Sequence, residues 1–461
     1  MRKTPELILD ILISAGIAIV LLSPFPYGTV ETWSVSLFEI VSFLTLGLWC
    51  LREVISARIR LIPSPLYLPM GLFFILIIIQ LIPIPLTILK YISPHTQAML
   101  NQATEGLNYI FGESAISSFT ISINPYATKE KLLLYFSYAA FFIVTSNYIV
   151  GRNQLKKYFW LILAVGVIQS LIGISQYISS ESVQAASGTY INPNHFGGIL
   201  ILIIPLSLGY ILYLSQRTRG GDNLYNIIRQ SKFSNQLLLF FATILMGTGL
   251  IMSESRGALM SVLAAIAIFY ILLSWKKKTR SGTLFIALFL AIIAIYSFWI
   301  GIDPVIEKFA ETSETLPKRT FIWKDTLTII KDFPIFGTGL GTYSLSFSLY
   351  KNVAYWPTII QHAHNDYLEL LSETGVIGFL LVMWGIVMFY KRAISKFVRN
   401  NSQNDPLRYY LLLGAISGSL GMMVHVITDF NFQIPANAFY FTFLLGISTS
   451  IYNVSRQKKN A

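Results

Sequence analysis

Charge is the scarcest property of this chain. Asp, Glu, Lys and Arg make up 12% of its 461 residues, against about 25% in a soluble globular protein. Hydrophobic residues make up 54% and mean hydropathy is +0.61. A deficit spread along the whole length excludes a water-facing surface for most of the molecule. Cysteine is nearly absent as well. Cys50 stands alone inside an apolar run, which excludes a disulfide framework and a thiolate metal site. No repeat or low-complexity tract breaks the pattern, so residues 1–461 read as one integral membrane domain. Between the apolar runs there is no Asp-x-Asp or close acidic cluster of the kind that holds Mg²⁺ or Mn²⁺ on a pyrophosphate. Neither a metal nor another cofactor is expected.

What the chain does have is a succession of apolar runs of about 20 residues, each long enough to cross about 30 Å of hydrocarbon. They predict an all-α, polytopic protein with about twelve spans, near residues 7–23, 36–51, 66–87, 131–150, 158–178, 195–215, 237–253, 257–274, 282–300, 374–390, 409–428 and 436–452. The net charge is +12. Assigning the segments between spans alternately to two sides puts most of the Lys and Arg on the side of the N-terminus, including Arg52, Arg152, Lys276, Arg392 and Arg408. By the positive-inside rule both termini are cytoplasmic. The basic balance therefore records topology, and nucleic acid is not an expected partner. No small-residue cleavage site follows the first apolar run, which continues into Ser23-Pro24-Phe25-Pro26, so it reads as a retained span.

Three outer segments stand out. Residues 88–130 form a long polar connection, and residues 179–194 end in GTYINPNHFGG. The longest segment covers 301–373, a length that in a compact protein points to function or disorder. From Arg319 to Phe333 apolar and charged residues interleave as in an amphipathic helix at an interface. Pro334 stops it, and Gly337, Gly339 and Gly341 allow a turning, close-packed segment.

Ionisable groups gather at these outer boundaries. Arg256, in MSESRGALMS, is predicted at a helix start, beside N–H groups with no intrahelical partner. Either an anion sits there, or Arg256 snorkels to lipid phosphates or pairs with Glu254. Arg319 is a second candidate, with a lipid headgroup as the plainer alternative. His364 and Asn365 lie in QHAHNDYLELLSETG. A single imidazole with an ordinary pKa of about 6.5 suits general-base work, although a helix-cap region with one structural hydrogen bond fits equally. His362 and His364, two apart, do not share a helix face, which argues against zinc. His425 and Asp429, four apart, are expected on one helical face, either as a satisfied pair or facing a wet cavity. Asn194 and His195, at the mouth of the sixth span, carry the same ambiguity.

At these residues the chain resembles the O-antigen ligase and polymerase superfamily of bacterial envelope glycosyltransferases. The most specific element is a late-loop signature: His, then Asn, Ser or Gln, nine residues, Gly, two residues, then Gly, Thr or Tyr. Here it reads His364-Asn365, nine residues, Gly375, two residues, Gly378. The Ser255-Arg256-Gly257 turn, RTFIWKDTLTIIKDFPIFGTGLGTY and GTYINPNHFGG fit as well, and the similarity extends over about residues 120–450.

The resemblance implies a GT-C-like helical bundle in the bacterial inner membrane with a long periplasmic loop. It also implies a metal-independent, inverting transferase with an undecaprenyl-pyrophosphate-linked glycan as donor. By the same resemblance Arg256 and Arg319 hold the diphosphate and His364 acts at the acceptor hydroxyl. Asn194, His195, Asn365, His425 and Asp429 are candidate substrate contacts. The acceptor is lipid A–core for a ligase, a growing glycan for a polymerase, or a protein hydroxyl. A transporter or flippase is the reading from another class, but its sites lie near the bilayer midplane and often come with internal repeats.

Overall fold

The computed structural model describes residues 4–57, 61–111, 118–179, 185–215, 231–275, 312–351, 359–400 and 403–454. It is helical almost throughout. The helices are α1 (Thr4–Val20), α2 (Thr32–Ile55), α3 (Tyr67–Leu81), α4 (Leu86–Ile92), α5 (Pro94–Phe111), α6 (Pro125–Tyr148), α7 (Arg152–Ser179) and α8 (Pro193–Ser215). Then come α9 (Ser231–Met252), α10 (Arg256–Ser274), α11 (Thr312–Asp332), α12 (Tyr343–Tyr350), α13 (Asp366–Arg399), α14 (Pro406–His425) and α15 (Pro435–Val454). Eleven of the expected spans fall on these helices, and the one at 282–300 lies outside the described residues. Seven described helices (α2, α7, α8, α9, α10, α13 and α14) are long and apolar enough to cross a membrane. Among the others, α1 and α3 are shorter.

The bundle is built around α8, whose apolar window is wholly buried. α14, α10, α9, α7 and α15 pack against it. Lipid is as apolar as leucine, so helices in a membrane associate through close packing of small residues. α14 supplies them: a Cβ on Gly414 or Gly418 would press on the backbone carbonyls of Pro205 or Leu202 in α8. A second group of α1, α2, α6 and α15 flanks this core, and α3 packs on α13.

The two ends of the bundle differ in chemistry. One end gathers Arg52 on Asp10 (2.6 Å), Arg152 and Arg408 on Asp405 (3.2 and 2.9 Å) and Arg392 on Asn453 (3.2 Å). Arg52, Arg152, Arg392 and Arg408, from three of the segments assigned to the basic side, thus lie there among the described residues. At the opposite end a cap forms. Residues 84–85 and 118–119 pair as a short antiparallel ladder around α4 and α5, structure that the polar composition of 88–130 did not announce. The amphipathic helix expected in the long outer segment is α11. It buries Ile322, Ile329 and Phe333 with Tyr343, Phe347 and Ala363 in a small second core, while Phe321 and Leu327 stay exposed.

Candidate functional site

The late-loop signature is largely a device for shaping backbone. Asn365 caps α13, its Oδ1 accepting from the N–H groups of Tyr367 (3.0 Å) and Leu368 (3.1 Å), as orphan N-terminal donors require. α13 breaks its helical geometry at Gly375, where φ is 63° and ψ is −172°. A Cβ there would collide with the Ile335 carbonyl, so only glycine allows residues 334–339 to dock on 372–376. That docking is held by Thr338 N to Ser372 O (3.0 Å), Gly339 N to Glu373 O (2.9 Å) and Val376 N to Pro334 O (2.8 Å). The long outer segment was expected to reach 373. A separate helical turn already occupies 366–374, and the span itself starts after Gly375.

His364 is the signature residue left over for chemistry. It sits just before that cap with φ of 50°, a left-handed conformation uncommon for a residue with a side chain. Its Nδ1 is buried without a hydrogen bond and lies 4.0 Å from Asp429 Oδ1. The ring is partly exposed, and Nε2 is not among its sealed atoms.

The elements converge on the turn between α14 and α15. His425 and Asp429 do not share a helical face as expected, because α14 stops at His425. Past it the Ile427 and Thr428 N–H groups turn to the Val424 (3.2 Å) and His425 (3.1 Å) carbonyls, and the Met423 carbonyl accepts from the Tyr367 hydroxyl (2.8 Å), so the next helical bonds do not form; the Val426 carbonyl accepts from Asp366 N–H (3.0 Å). Arg319, on α11, donates to the Thr428 carbonyl at 2.7 Å. Ser255 caps α10 by accepting from Ala258 N–H (3.3 Å), which puts Arg256 at the first helical position, partly exposed. The first turn of α10 abuts the same segment: a Cβ on Gly257 would lie 3.3 Å from His425 Nε2 and 3.2 Å from Thr428 Oγ1. His425 Nδ1 meets Asn431 Nδ2 at 2.7 Å, and Asn437 Nδ2 bridges Asn431 Oδ1 (2.7 Å) to the His195 carbonyl (2.9 Å).

Phe430 is the hub that sequence reasoning missed. His362 stacks on its ring at 4.4 Å, and His195 and His364 meet it edge-on at 4.6 and 4.8 Å. His362 Nδ1 is held 2.9 Å from Glu369 Oε1, whose other oxygen accepts from Ala363 N–H at 2.8 Å. His362 and His364 therefore have separate carboxylate neighbours and do not form a chelating pair. Asn194 lies in the first turn of α8, partly exposed. No signal in the sequence marked Phe430 or Glu369, since both matter only through contacts made by distant loops.

Electrostatics keep the two groups at the centre in complementary states. Burial pushes the His364 imidazole below its ordinary range; the Asp429 charge opposes this, while Arg319 and His362 reinforce it. Burial alone would raise the Asp429 carboxyl, but His195 and His425, the Phe430 N–H and Arg319 outweigh it and hold it low. The result favours a neutral imidazole near a buried carboxylate, with Nδ1 of the ring unbonded.

Beside this cluster lies a cavity of about 640 Å³. Phe430, His195 and His362 line it, while Arg256, Arg319, His364, His425 and Asp429 do not.

Comparison with known proteins agrees with the signature. A family model described as O-antigen ligase matches residues 241–383, a stretch that contains Arg256, Arg319 and His364. A protein of Rickettsia conorii named as a polysaccharide ligase is 30% identical over 120 residues, 24% of this chain and 29% of that protein. The exopolysaccharide production protein ExoQ of Rhizobium meliloti is 29% identical over 105 residues, 21% of this chain and 24% of ExoQ. The matched part of this chain thus spans less than a third of either relative.

Proposed function

We propose that this chain, a multi-pass membrane protein with an O-antigen ligase match over residues 241–383, is a glycosyltransferase. In this reading it moves a glycan from undecaprenyl pyrophosphate to an acceptor hydroxyl at the periplasmic face of the inner membrane. One observation carries the reading. Arg319, His364 and the α10 turn that starts with Arg256 come from distant parts of the chain and meet on residues 425–429.

In the mechanism this supports, the donor diphosphate lies against Arg256, Arg319 and the N-terminus of α10. Guanidinium groups bind phosphate oxygens in pairs and stay charged. His364, set by Asp429, takes the proton of the acceptor hydroxyl as that oxygen attacks the anomeric carbon. The glycosyl–phosphate bond breaks on the opposite face, inverting the configuration. Undecaprenyl pyrophosphate leaves with its charge already stabilised by preorganised donors, so no metal is required. The family description, O-antigen ligase, favours ligation of the glycan, with lipid A–core as the acceptor in this reading. The match to ExoQ supports a second reading, in which lipid-linked repeat units are polymerised with the same donor chemistry.

Arg256→Ala is expected to lower glycan release from the lipid carrier in detergent about 10²–10³-fold, with the protein still inserted and abundant. Wild-type turnover by that variant overturns the diphosphate assignment. Activity is expected to persist in EDTA; a loss restored by Mg²⁺ contradicts the arginine scheme.

A further inference from the structure

The 640 Å³ cavity and the Arg256–Arg319–His364 cluster adjoin at Phe430, which lines the cavity and meets the His364 ring, and their charges are opposite in sign. The cavity runs along α2 and α6, lined by Tyr27, Ser36, Glu39, Glu130, Lys131 and Tyr190. Glu39 is the telling residue. It is 8% exposed, lines the cavity, and has no hydrogen bond or ion pair among the described residues. The charge that acts on it is the like charge of Glu130. Lys131, which could have compensated, is drawn to Gln433 Oε1 at 2.8 Å. The Glu39 carboxylate oxygens are not sealed and face the cavity, so a group that donates can meet them there. The wall contributes aromatic faces from Tyr27, Tyr190 and Phe430, and the volume falls within the range of small-ligand sites.

We propose that this cavity is the acceptor subsite, built for an uncharged, hydroxyl-rich saccharide whose hydroxyls hydrogen-bond Glu39. This inference rests on the glycosyl-transfer reading and adds a division of labour to it. A diphosphate, a phosphorylated sugar or a uronic acid is repelled by Glu39 and Glu130 and drawn to the arginines beyond Phe430. A neutral sugar loses nothing to that repulsion, donates adjacent hydroxyls to the carboxylate, and lays its C–H face on the aromatic rings. Phe430, His362 and His195 line the cavity where it meets the cluster, and Phe430 also touches His364. An acceptor bound here is presented toward the base at the Phe430 edge, while the arginines that draw the donor's charge do not line the cavity.

The test separates binding from turnover. The full-length protein in detergent is examined by saturation-transfer difference NMR with neutral trisaccharides (maltotriose and chitotriose) and with trigalacturonate. The neutral sugars are expected to receive saturation and the anionic one not. Glu39→Gln is expected to weaken the neutral sugars about tenfold, the loss of one charged hydrogen bond, and Glu39→Lys to reverse the preference toward trigalacturonate. Ser36 lines the cavity and is exposed, so Ser36→Trp fills the chamber without disturbing a packed core and is expected to abolish the signal. The inference is overturned if no neutral sugar receives saturation, or if the signal survives both Ser36→Trp and Glu39→Lys unchanged. In the transfer assay Glu39→Gln is expected to raise the acceptor KM and leave the donor KM alone; a change in donor KM instead also overturns it. A wild-type protein that binds neutral sugars but transfers no glycan refutes the proposed function and leaves this subsite standing.

Discussion

Asp429 and Arg319 push the His364 ring in opposite directions, and the pair can be read out separately. The imidazole sits below its ordinary pKa, with Asp429 raising it and Arg319 lowering it against the larger effect of burial. A base must be unprotonated, so transfer in the wild type is expected to be flat through neutral pH and to fall only as pH drops through a value under about 6.5. Asp429→Asn removes the raising charge, so its acid limb moves to lower pH, with a loss of rate because the charge that stabilises the ring as it takes the proton is gone. Arg319→Gln removes a lowering charge, so the limb of its residual activity moves up. Profiles of kcat/KM against pH check both signs, and limbs that stay in place in both variants remove His364 from the role of base.

The element that presents His364 depends on two residues whose substitutions should fail differently. Asn365→Ala removes the cap of α13 and is expected to cost about 1 kcal/mol, seen as a modest drop in the thermal midpoint in detergent. Gly375→Ala puts a Cβ on a backbone at φ 63° and ψ −172°, a conformation kept essentially for glycine and worth about 1–3 kcal/mol, and drives it into the Ile335 carbonyl. Its midpoint is expected to fall well beyond that of Asn365→Ala; equal midpoints would mean that residues 334–339 do not dock as described. This difference marks the limit of what was legible in the sequence here. The signature singled out His364, Asn365, Gly375 and Gly378 together, because a pattern records which positions tolerate no change and not why. Coordinates separate the cap and the kink from the imidazole. The end of α14 at His425 was illegible for a related reason: the Met423 carbonyl that Ile427 N–H would need takes the Tyr367 hydroxyl, and the Val426 carbonyl takes Asp366 N–H, partners that a helical repeat does not reveal.

Across the whole molecule, span positions were legible because an apolar run must cover the hydrocarbon, whereas Phe430 and Glu39 were not, because their meaning comes from which loops and helices close around them. The sidedness inferred from Lys and Arg can be tested directly. Arg52, Arg152, Arg392 and Arg408 gather at one end, and the end with His364 and Arg319 is the other. Cys50 is the sole cysteine and is exposed, so a Cys50→Ser background gives a silent chain. Glu31, exposed at the start of α2 with no capping bond from its side chain, marks the site end, and Asn404, exposed before α14, marks the basic end. By the positive-inside rule, a membrane-impermeant maleimide is expected to label Glu31→Cys in intact spheroplasts and Asn404→Cys only in inverted vesicles. The reverse pattern would turn His364 toward the cytoplasm, out of reach of any glycan displayed on the outer leaflet, and the transferase reading would fall with it.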